Sequence, residues 1–231
     1  VYVCDDVDVE AAAAALAEGA FYNAGQSCCA VERLYVHTAI AERFLAEFVA
    51  AVQRFTVGDP TRAETSMGPL TRRAQLDTLA DQVADARRQG ARIVLGGKRL
   101  RIPGFERGNY FAPTVLTDVT HRMKVMREET FGPLIGLMAV HDDAEAVKLM
   151  NDTTYGLTAG VYARDRARAE KILAQIAAGS VYWNCCDRVS PRLPWSGVKH
   201  SGLGLTLSRE GILAFTRPKA WHLRASSHVS A

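Results

Sequence analysis

The sequence predicts an α/β fold in which helices flank a mostly parallel open sheet. Short runs of β-branched and aromatic residues alternate with amphipathic stretches long enough to cross from one parallel strand to the next. The chain has 231 residues, of which 48% are hydrophobic, so it can bury a large core. We find no internal repeat and no low-complexity linker. In such a fold, ligand groups are expected at the carboxyl ends of the strands.

Four helices are predicted from caps and from apolar spacing. Asp8 is placed to cap a helix that runs through an alanine-rich stretch to Phe21. Residues 39–54 and 71–89 carry apolar side chains on one face at the helical period. Asp165 is placed to cap the fourth helix. The glycines expected to end the last two helices are Gly90 and Gly179.

Strands are predicted where short apolar runs lie between these helices. The first residues, 1–6, resemble a buried strand that runs into a loop. Residues 215–223 are strand-like but include Pro218, which cannot donate to a ladder, so this segment belongs on a sheet edge or pairs with another chain. Residues 225–231 are expected to be disordered. The other predicted strands are 34–37, 93–95, 114–117, 134–140, 157–162 and 181–184.

Composition argues against several classes of protein. The formal charge of +3 comes from 28 basic and 25 acidic residues that are interspersed, so no nucleic-acid partner is expected. No apolar run approaches the ~20 residues that cross a bilayer, so we expect no membrane partner and a cytoplasmic location. The five cysteines are odd in number and lack CxxC spacing, which favours reduced thiols over a disulfide scaffold or a metal site.

The most informative residue is Cys28, because it lies just after a Gly-Gln turn and just before a predicted strand. A cysteine in that place is either a nucleophile or a core residue, and position alone leaves both roles open. The adjacent glutamates at 128 and 129 also allow two interpretations: they form a general-base pair, or they lie on an exposed acidic turn. His37 and His200 are candidates for a Cys/His dyad, although nothing in their spacing singles out either one.

Four tracts then give a resemblance. They are 25–28 (GQSC), 128–133 (EETFGP), 151–156 leading into a strand, and 194–202 (PWSGVKHSG). They occur in the order and spacing of the NAD(P)-dependent aldehyde dehydrogenase superfamily, and the resemblance covers nearly the whole chain. Four tracts in register are far more specific than any one of them. The chain resembles the catalytic domain and the C-terminal tail of that family.

The resemblance implies a reaction. In the family, a thiolate adds to the aldehyde carbonyl, hydride passes to the nicotinamide, and water hydrolyses the thioester to a carboxylic acid. By resemblance the nucleophile is Cys28, whose backbone N–H forms part of the oxyanion hole. Cys29 is expected to face away, because adjacent residues of an extended chain point to opposite sides.

The resemblance also implies a cofactor, NAD or NADP, and residues that contact it. Glu129 is expected to accept hydrogen bonds from the hydroxyls of the nicotinamide ribose, and Phe131 to pack near that ribose. Cys185, Cys186 and Trp195 are placed along the aldehyde tunnel, where packing roles are equally open. For a further residue, Lys199, we prefer a structural hydrogen bond to a loop.

The domain organisation follows from the same resemblance. Residues 1–214 correspond to the catalytic domain, and 215–224 to an oligomerisation strand that extends the sheet of a neighbouring subunit. We therefore expect a homo-oligomer, a dimer or a tetramer, with a small-molecule aldehyde as its substrate. The family's general-base glutamate and its coenzyme-binding domain lie upstream of the residues that match this chain.

Two other functions remain open. A thiol that forms thioesters can also cleave activated esters, so Cys28 paired with a histidine would give a cysteine-dependent esterase. A non-enzymatic oligomerisation domain that has kept the fold is the other alternative.

The 231-residue chain alone is expected to bind NAD(P)+ weakly and to oxidise aldehydes poorly, because the resemblance places only the ribose end of the cofactor site within it. Isothermal titration calorimetry of the purified chain measures this. Micromolar affinity, or robust aldehyde turnover, would show that the expectation is wrong.

Overall fold

The computed structural model describes residues 1–186 and 188–224. Seven strands form one sheet and two short strands form a second. The strands of the main sheet are β1 (Tyr2–Val3), β2 (Arg33–His37), β3 (Arg92–Leu95), β6 (Thr114–Thr117), β7 (Leu134–Val140), β8 (Thr158–Tyr162) and β9 (Ser180–Trp183). The second sheet pairs β4 (Arg99–Leu100) with β5 (Tyr110–Phe111).

Six α-helices accompany the sheets. They are α1 (Val9–Phe21), α2 (Ala41–Val52), α3 (Arg73–Arg88), α4 (Asp143–Asn151), α5 (Arg166–Leu173) and α6 (Ser208–Leu213). Short 3-10 helices occur at Tyr22–Gly25, Thr38–Ile40, Lys124–Met126 and Lys199–Ser201.

The predicted α/β fold with a mostly parallel sheet is confirmed. The strand order is β3-β6-β7-β2-β1-β8-β9, and every neighbouring pair is parallel except β3 with β6. The bounds of β6 and β7 are those predicted, and β2, β3 and β8 each differ from the prediction by one residue at one end. The strand predicted over 181–184 lies one residue earlier, as β9, and the strand expected in 1–6 is limited to Tyr2–Val3. Parallel strands buried on both faces read as continuous apolar runs, which is why the sequence located them so closely.

The predicted caps are confirmed at two helices. The Asp8 carboxylate accepts from the backbone N–H of Ala11 at 3.1 Å, and Asp165 does the same for Ala167 at 2.8 Å. Both bonds satisfy amide groups that the first turn of a helix leaves without partners. The helix expected over 39–54 begins instead at Ala41, after a 3-10 turn.

The helices α1 and α2 pack through aromatic side chains. Phe44 and Phe48 are fully buried and stack with ring centroids 5.7 Å apart, and Phe48 lies 6.3 Å from Phe21. The apolar face that predicted α2, with Phe44, Phe48 and Val52 four residues apart, therefore packs into the core as expected. This contact fixes α1, whose C-terminal end leads into the loop that carries Cys28.

The helix capped by Asp165 ends earlier than predicted. It stops at Leu173, six residues before Gly179, because Asn151 binds the following segment. The Asn151 amide donates to the carbonyl of Gln175 and accepts from the N–H of Ala177, each at 2.8 Å. A side chain distant in sequence thus competes with the helix for those backbone groups.

Three elements were not predicted: α4, α6 and the β4–β5 hairpin. In the short helix α4 only Ala146 is fully buried, while Val147, Leu149 and Met150 pack partly buried against the core. A capping signal was present, since Asp142 accepts from the N–H of Glu145 at 2.8 Å and the Glu145 carboxylate accepts from the N–H of His141 at 2.7 Å. That reciprocal pair would have located the helix.

The C-terminal edge strand is not formed in the single chain. The described part of the tail, 215–224, contains no strand, and Phe215 is 88% exposed. Its pairing with a second subunit stays a prediction. The segment 225–231, expected to be disordered, lies outside the described residues. Across the described ranges, no helix is both long enough and apolar enough to span a membrane.

Replacing Phe44 by alanine should lower the free energy of unfolding by about 3–5 kcal/mol, because a fully buried ring leaves a cavity between α1 and α2. Urea unfolding measures the loss. The matched control is Phe105→Ala, since this ring is 40% exposed and its removal should change the value by no more than about 0.5 kcal/mol. Equal losses would contradict the core assignment.

Candidate active site

Three of the residues expected to carry chemistry lie at the amino ends of the parallel strands, which we call the amino edge of the sheet. Cys28 precedes β2, and Glu129 and Phe131 precede β7. These two strands are parallel neighbours, so their amino ends lie side by side. The expectation of ligand groups at the carboxyl ends is wrong for these residues. The general rule applies to loops that follow strands, whereas both of these loops lead into them.

The loop that carries Cys28 is built on left-handed backbone. After α1, three residues in succession have positive φ angles: Asn23 at 49°, Ala24 at 56° and Gly25 at 71°. A Cβ atom on Gly25 would lie 2.3 Å from the carbonyl oxygen of Gly132. Only glycine permits both the φ angle and this approach. The cysteine loop and the loop before β7 therefore meet backbone to backbone.

Side-chain hydrogen bonds hold the same loop. The Gln26 amide donates to the carbonyl of Asn23 at 3.1 Å, and its oxygen accepts from the N–H of Thr71 at 2.8 Å. The Asn23 amide donates in return to the Gln26 carbonyl at 2.9 Å. The loop is thus tied to the segment before α3. Sequence reasoning gave Gln26 no such role.

The two adjacent cysteines have different surroundings. Cys28 is exposed and Cys29 is buried, and both are free thiols. The Cys29 sulfur lies 3.5 Å from the Tyr22 hydroxyl and 3.3 Å from the Ser27 hydroxyl. Both lie along the cavity described below, but Cys28 is the more exposed thiol of the two.

The electrostatic surroundings of Cys28 favour its neutral form. Partial burial raises the pKa of the Cys28 thiol, and the neighbouring Cys29 and Glu129 add to the rise. A thiol with a raised pKa carries less thiolate at neutral pH than a free cysteine does. In this chain, Cys28 is therefore accessible but not activated.

A cavity of about 360 Å³ lies at this edge. Cys28, Glu129, Cys186 and His200 are among the residues that line it. Glu129 is exposed there, so its carboxylate is open to a ligand. The structure thus brings together a thiol, a carboxylate and an imidazole that the sequence suggested separately.

Phe131, Cys185 and Trp195 are not among the lining residues of this cavity. Phe131 is 36% exposed and has a φ of 45°. The Cys185 carbonyl packs 3.3 Å from where a Cβ on Gly160 would lie. Trp195 forms a two-way backbone pair with Thr206, at 2.8 and 3.0 Å. Of the three tunnel residues predicted, only Cys186 reaches the cavity.

Cys186 serves packing as well. It is 6% exposed, and its sulfur would lie 2.3 Å from a Cβ on Gly19, so α1 needs a glycine there. The Tyr162 hydroxyl donates to its sulfur at 3.6 Å. The next residue, Asp187, lies outside the described residues.

Lys199 makes the structural hydrogen bonds predicted for it. Its ammonium donates to the carbonyl of Asn151 at 2.9 Å and to that of Thr153 at 3.1 Å. The Gly156 N–H donates to the Ser201 hydroxyl at 2.9 Å, and the Val198 N–H donates to the Gly156 carbonyl at 3.0 Å. Two tracts that carried the resemblance, 151–156 and 194–202, are thereby joined.

The two histidine candidates separate clearly. His37 ends β2 at the opposite edge of the sheet, where its ring accepts from the N–H of Ala39 at 3.2 Å. His200 lines the cavity with Cys28. Within 1–186 and 188–224, no group of three or more His, Cys, Asp or Glu side chains could hold a metal ion.

One residue of this site, Glu32, was missed by sequence reasoning. Glu32 lies just before β2, lines the cavity, and is partly buried. Burial raises the pKa of its carboxyl group, opposed by two backbone N–H groups. Those groups belong to Thr130, at 3.1 Å, and Phe131, at 3.0 Å. An acidic residue one position before a strand is the only signal the sequence offered.

The rate at which iodoacetamide labels Cys28 in this chain should be low at neutral pH and keep rising above about pH 8.5, the ordinary pKa of a thiol. Only the thiolate reacts, and with a raised pKa the thiolate forms at a higher pH. Mass spectrometry of labelled peptides gives the profile. Cys4 is fully buried and its pKa is raised to about 12, so it should label more slowly throughout. A labelling rate of Cys28 that already reaches its plateau below neutral pH would contradict the raised pKa.

Comparison with known proteins gives the family. The model described as the aldehyde dehydrogenase family matches residues 1–221. Betaine aldehyde dehydrogenase of Brucella anthropi is 37% identical over 204 residues, which make up 88% of this chain and 42% of that protein.

Solved structures agree. A 3,6-anhydro-L-galactose dehydrogenase in complex with NAP has a TM-score of 0.89 at 35% identity, over 92% of this chain and 45% of that one. A betaine aldehyde dehydrogenase of Staphylococcus aureus in complex with NAD+ has a TM-score of 0.89 at 31% identity, over 93% of this chain and 42% of that one. The chain spans less than half the length of these relatives. With its fold, its motif tracts and its sequence in agreement, the chain belongs to the aldehyde dehydrogenase family.

Proposed function

We propose that this chain supplies the nucleophile and the nicotinamide-ribose contact of an enzyme that oxidises an aldehyde to a carboxylic acid with NAD(P)+. One observation carries the proposal: the exposed thiol of Cys28 and the exposed carboxylate of Glu129 line the same cavity. Membership of the family supports the reaction class, and relatives that act on aldehydes support the substrate class.

The residues present fit a dinucleotide cofactor at its ribose end. The Glu129 carboxylate is exposed, and it offers acceptor oxygens to a pair of hydroxyl groups. Phe131 follows two residues later with its ring part exposed, as a surface for the sugar. When bound, NAD(P)+ supplies the acceptor for the hydride of the aldehyde.

Cys28 carries the covalent chemistry in this proposal. Its sulfur adds to the carbonyl carbon to give a thiohemiacetal, and after oxidation the acyl group remains on sulfur as a thioester, which water hydrolyses. The Cys28 backbone N–H is proposed to donate to the carbonyl oxygen as negative charge develops there.

The raised pKa of Cys28 means that the thiol needs a base. Among the described residues, no carboxylate or imidazole forms a hydrogen bond to the Cys28 side chain. We propose that a glutamate outside these residues deprotonates it, as the family resemblance implies.

The tail is proposed to join subunits. Its apolar side chains are strongly exposed in the single chain, at 88% for Phe215, 70% for Trp221 and 80% for Leu223. Exposed apolar side chains gathered in one short segment are typical of an interaction surface. A second copy that adds residues 215–223 to its own sheet edge would cover them.

In the protein at its native length, Cys28→Ser should lower aldehyde-dependent formation of NAD(P)H by roughly 10³-fold or more, because the hydroxyl is a far weaker nucleophile. The matched control is Cys29→Ser, which should stay within about tenfold, or 1.4 kcal/mol, of the original rate. The rate is followed by NAD(P)H absorbance. Loss of activity in Cys29→Ser alone would reassign the nucleophile.

The esterase alternative is tested in the same protein. It has a specific observation in its favour, since Cys28 and His200 line one cavity. An esterase would hydrolyse activated esters equally well with and without NAD(P)+, and would lose that activity in Cys28→Ser and His200→Ala alike. An aldehyde dehydrogenase keeps its NAD(P)H formation in His200→Ala.

A further inference from the structure

Glu32 holds the backbone of the turn that presents Glu129. Its carboxylate accepts from the N–H of Thr130, with both oxygens at 3.1 Å, and from the N–H of Phe131, at 3.0 Å. One oxygen, Oε1, serves both donors. These bonds span almost a hundred residues of sequence, and neither family tract at this edge includes Glu32.

The turn needs such support. Phe131 is a bulky residue with a φ of 45°, a conformation that persists only where the surroundings enforce it. Thr130 is fully buried, so its backbone groups cannot turn to water for partners. Its N–H goes to Glu32 and its carbonyl accepts from the Gln75 amide. The preceding carbonyl, that of Glu129, accepts from Gln82 at 3.4 Å.

Glu32 also belongs to the cysteine loop. It follows Cys28 by four residues, just before β2 begins at Arg33. The chain from 28 to 32 therefore ends in an anchor on the turn that carries Glu129. On the other side, Gly25 touches Gly132 backbone to backbone. The loop that carries Cys28 is therefore joined to the segment around Glu129 at two places, by Glu32 and by Gly25.

We propose that Glu32 is a positioning residue of this site, which holds the 129–131 turn so that Glu129 faces the cavity at a set distance from Cys28. The inference rests on the proposed function, in which Glu129 contacts the nicotinamide ribose. In this proposal Glu32 acts through the backbone of the turn, to which its carboxylate is hydrogen-bonded.

The test uses the protein at its native length with Glu32→Ala and Glu32→Gln. Alanine removes both acceptor oxygens and leaves the N–H of buried Thr130 without its partner, so the KM for NAD(P)+ should rise about tenfold or more, with a smaller fall in kcat. Glutamine keeps one acceptor oxygen, enough for both donors, so KM should stay within about threefold of the original. Glu42→Ala is the control, since Glu42 is an exposed residue of α2.

Hydrogen exchange provides a readout that does not depend on activity. The amide protons of Thr130 and Phe131 should exchange faster in Glu32→Ala than in the original protein, and should regain protection in Glu32→Gln. Unchanged exchange, or a KM that stays the same in Glu32→Ala, overturns the proposal. Equal damage in the alanine and glutamine variants overturns it too, because glutamine keeps both the volume and one acceptor oxygen, so that result would assign the effect to the lost negative charge.

The outcomes separate this inference from the proposed function. An original protein that forms no NAD(P)H from aldehydes would overturn the proposed function, whatever the Glu32 variants do. Amide exchange in Glu32→Ala would then still decide whether Glu32 holds the turn, with faster exchange supporting that role and unchanged exchange refuting it.

Discussion

The site depends on the parallel pairing of β2 with β7, which runs from Arg33 opposite Gly136 to His37 opposite Val140. Because both strands are entered from the same edge, the loops before them are neighbours although a hundred residues separate them in sequence. The close approach of Gly25 to Gly132 and the anchor from Glu32 both follow from that pairing. A slip in register would separate the thiol from the carboxylate, since each residue along a strand spans about 3.3 Å.

Unsatisfied polar atoms mark the same place. Among the described residues that are not exposed, four side-chain atoms are buried without a hydrogen-bond partner. One of them, Thr130 Oγ1, belongs to the 129–131 turn, and a second, Gln82 Oε1, belongs to a side chain bonded to that turn. Buried atoms without partners cost free energy and persist where other contacts over-determine the geometry. Together with the positive φ of Phe131, they show a turn held by its surroundings rather than by its own preferences.

The opposite edge of the sheet serves stability. The Arg168 guanidinium binds the Asp143 carboxylate with two hydrogen bonds, at 2.6 and 2.9 Å, and Asp5 at 2.7 Å. It holds the pKa of both carboxyl groups below the usual range. Tyr2 donates to the same Asp143 at 2.9 Å, so the network ties β1, α4 and α5 together. The candidate site and this ion-pair network thus lie at opposite ends of the parallel strands.

Much of this molecule follows from local sequence. Buried parallel strands were predicted from continuous apolar runs, and the starts of two helices from Asp8 and Asp165. The tracts around Cys28 and Glu129 indicated the family. The sequence could not show that Glu32 reaches Phe131, that Gly25 meets Gly132, or that Asn151 ends α5 early. Those contacts join residues far apart in the chain. They exist only once the strands have paired, and so tertiary structure alone decided them.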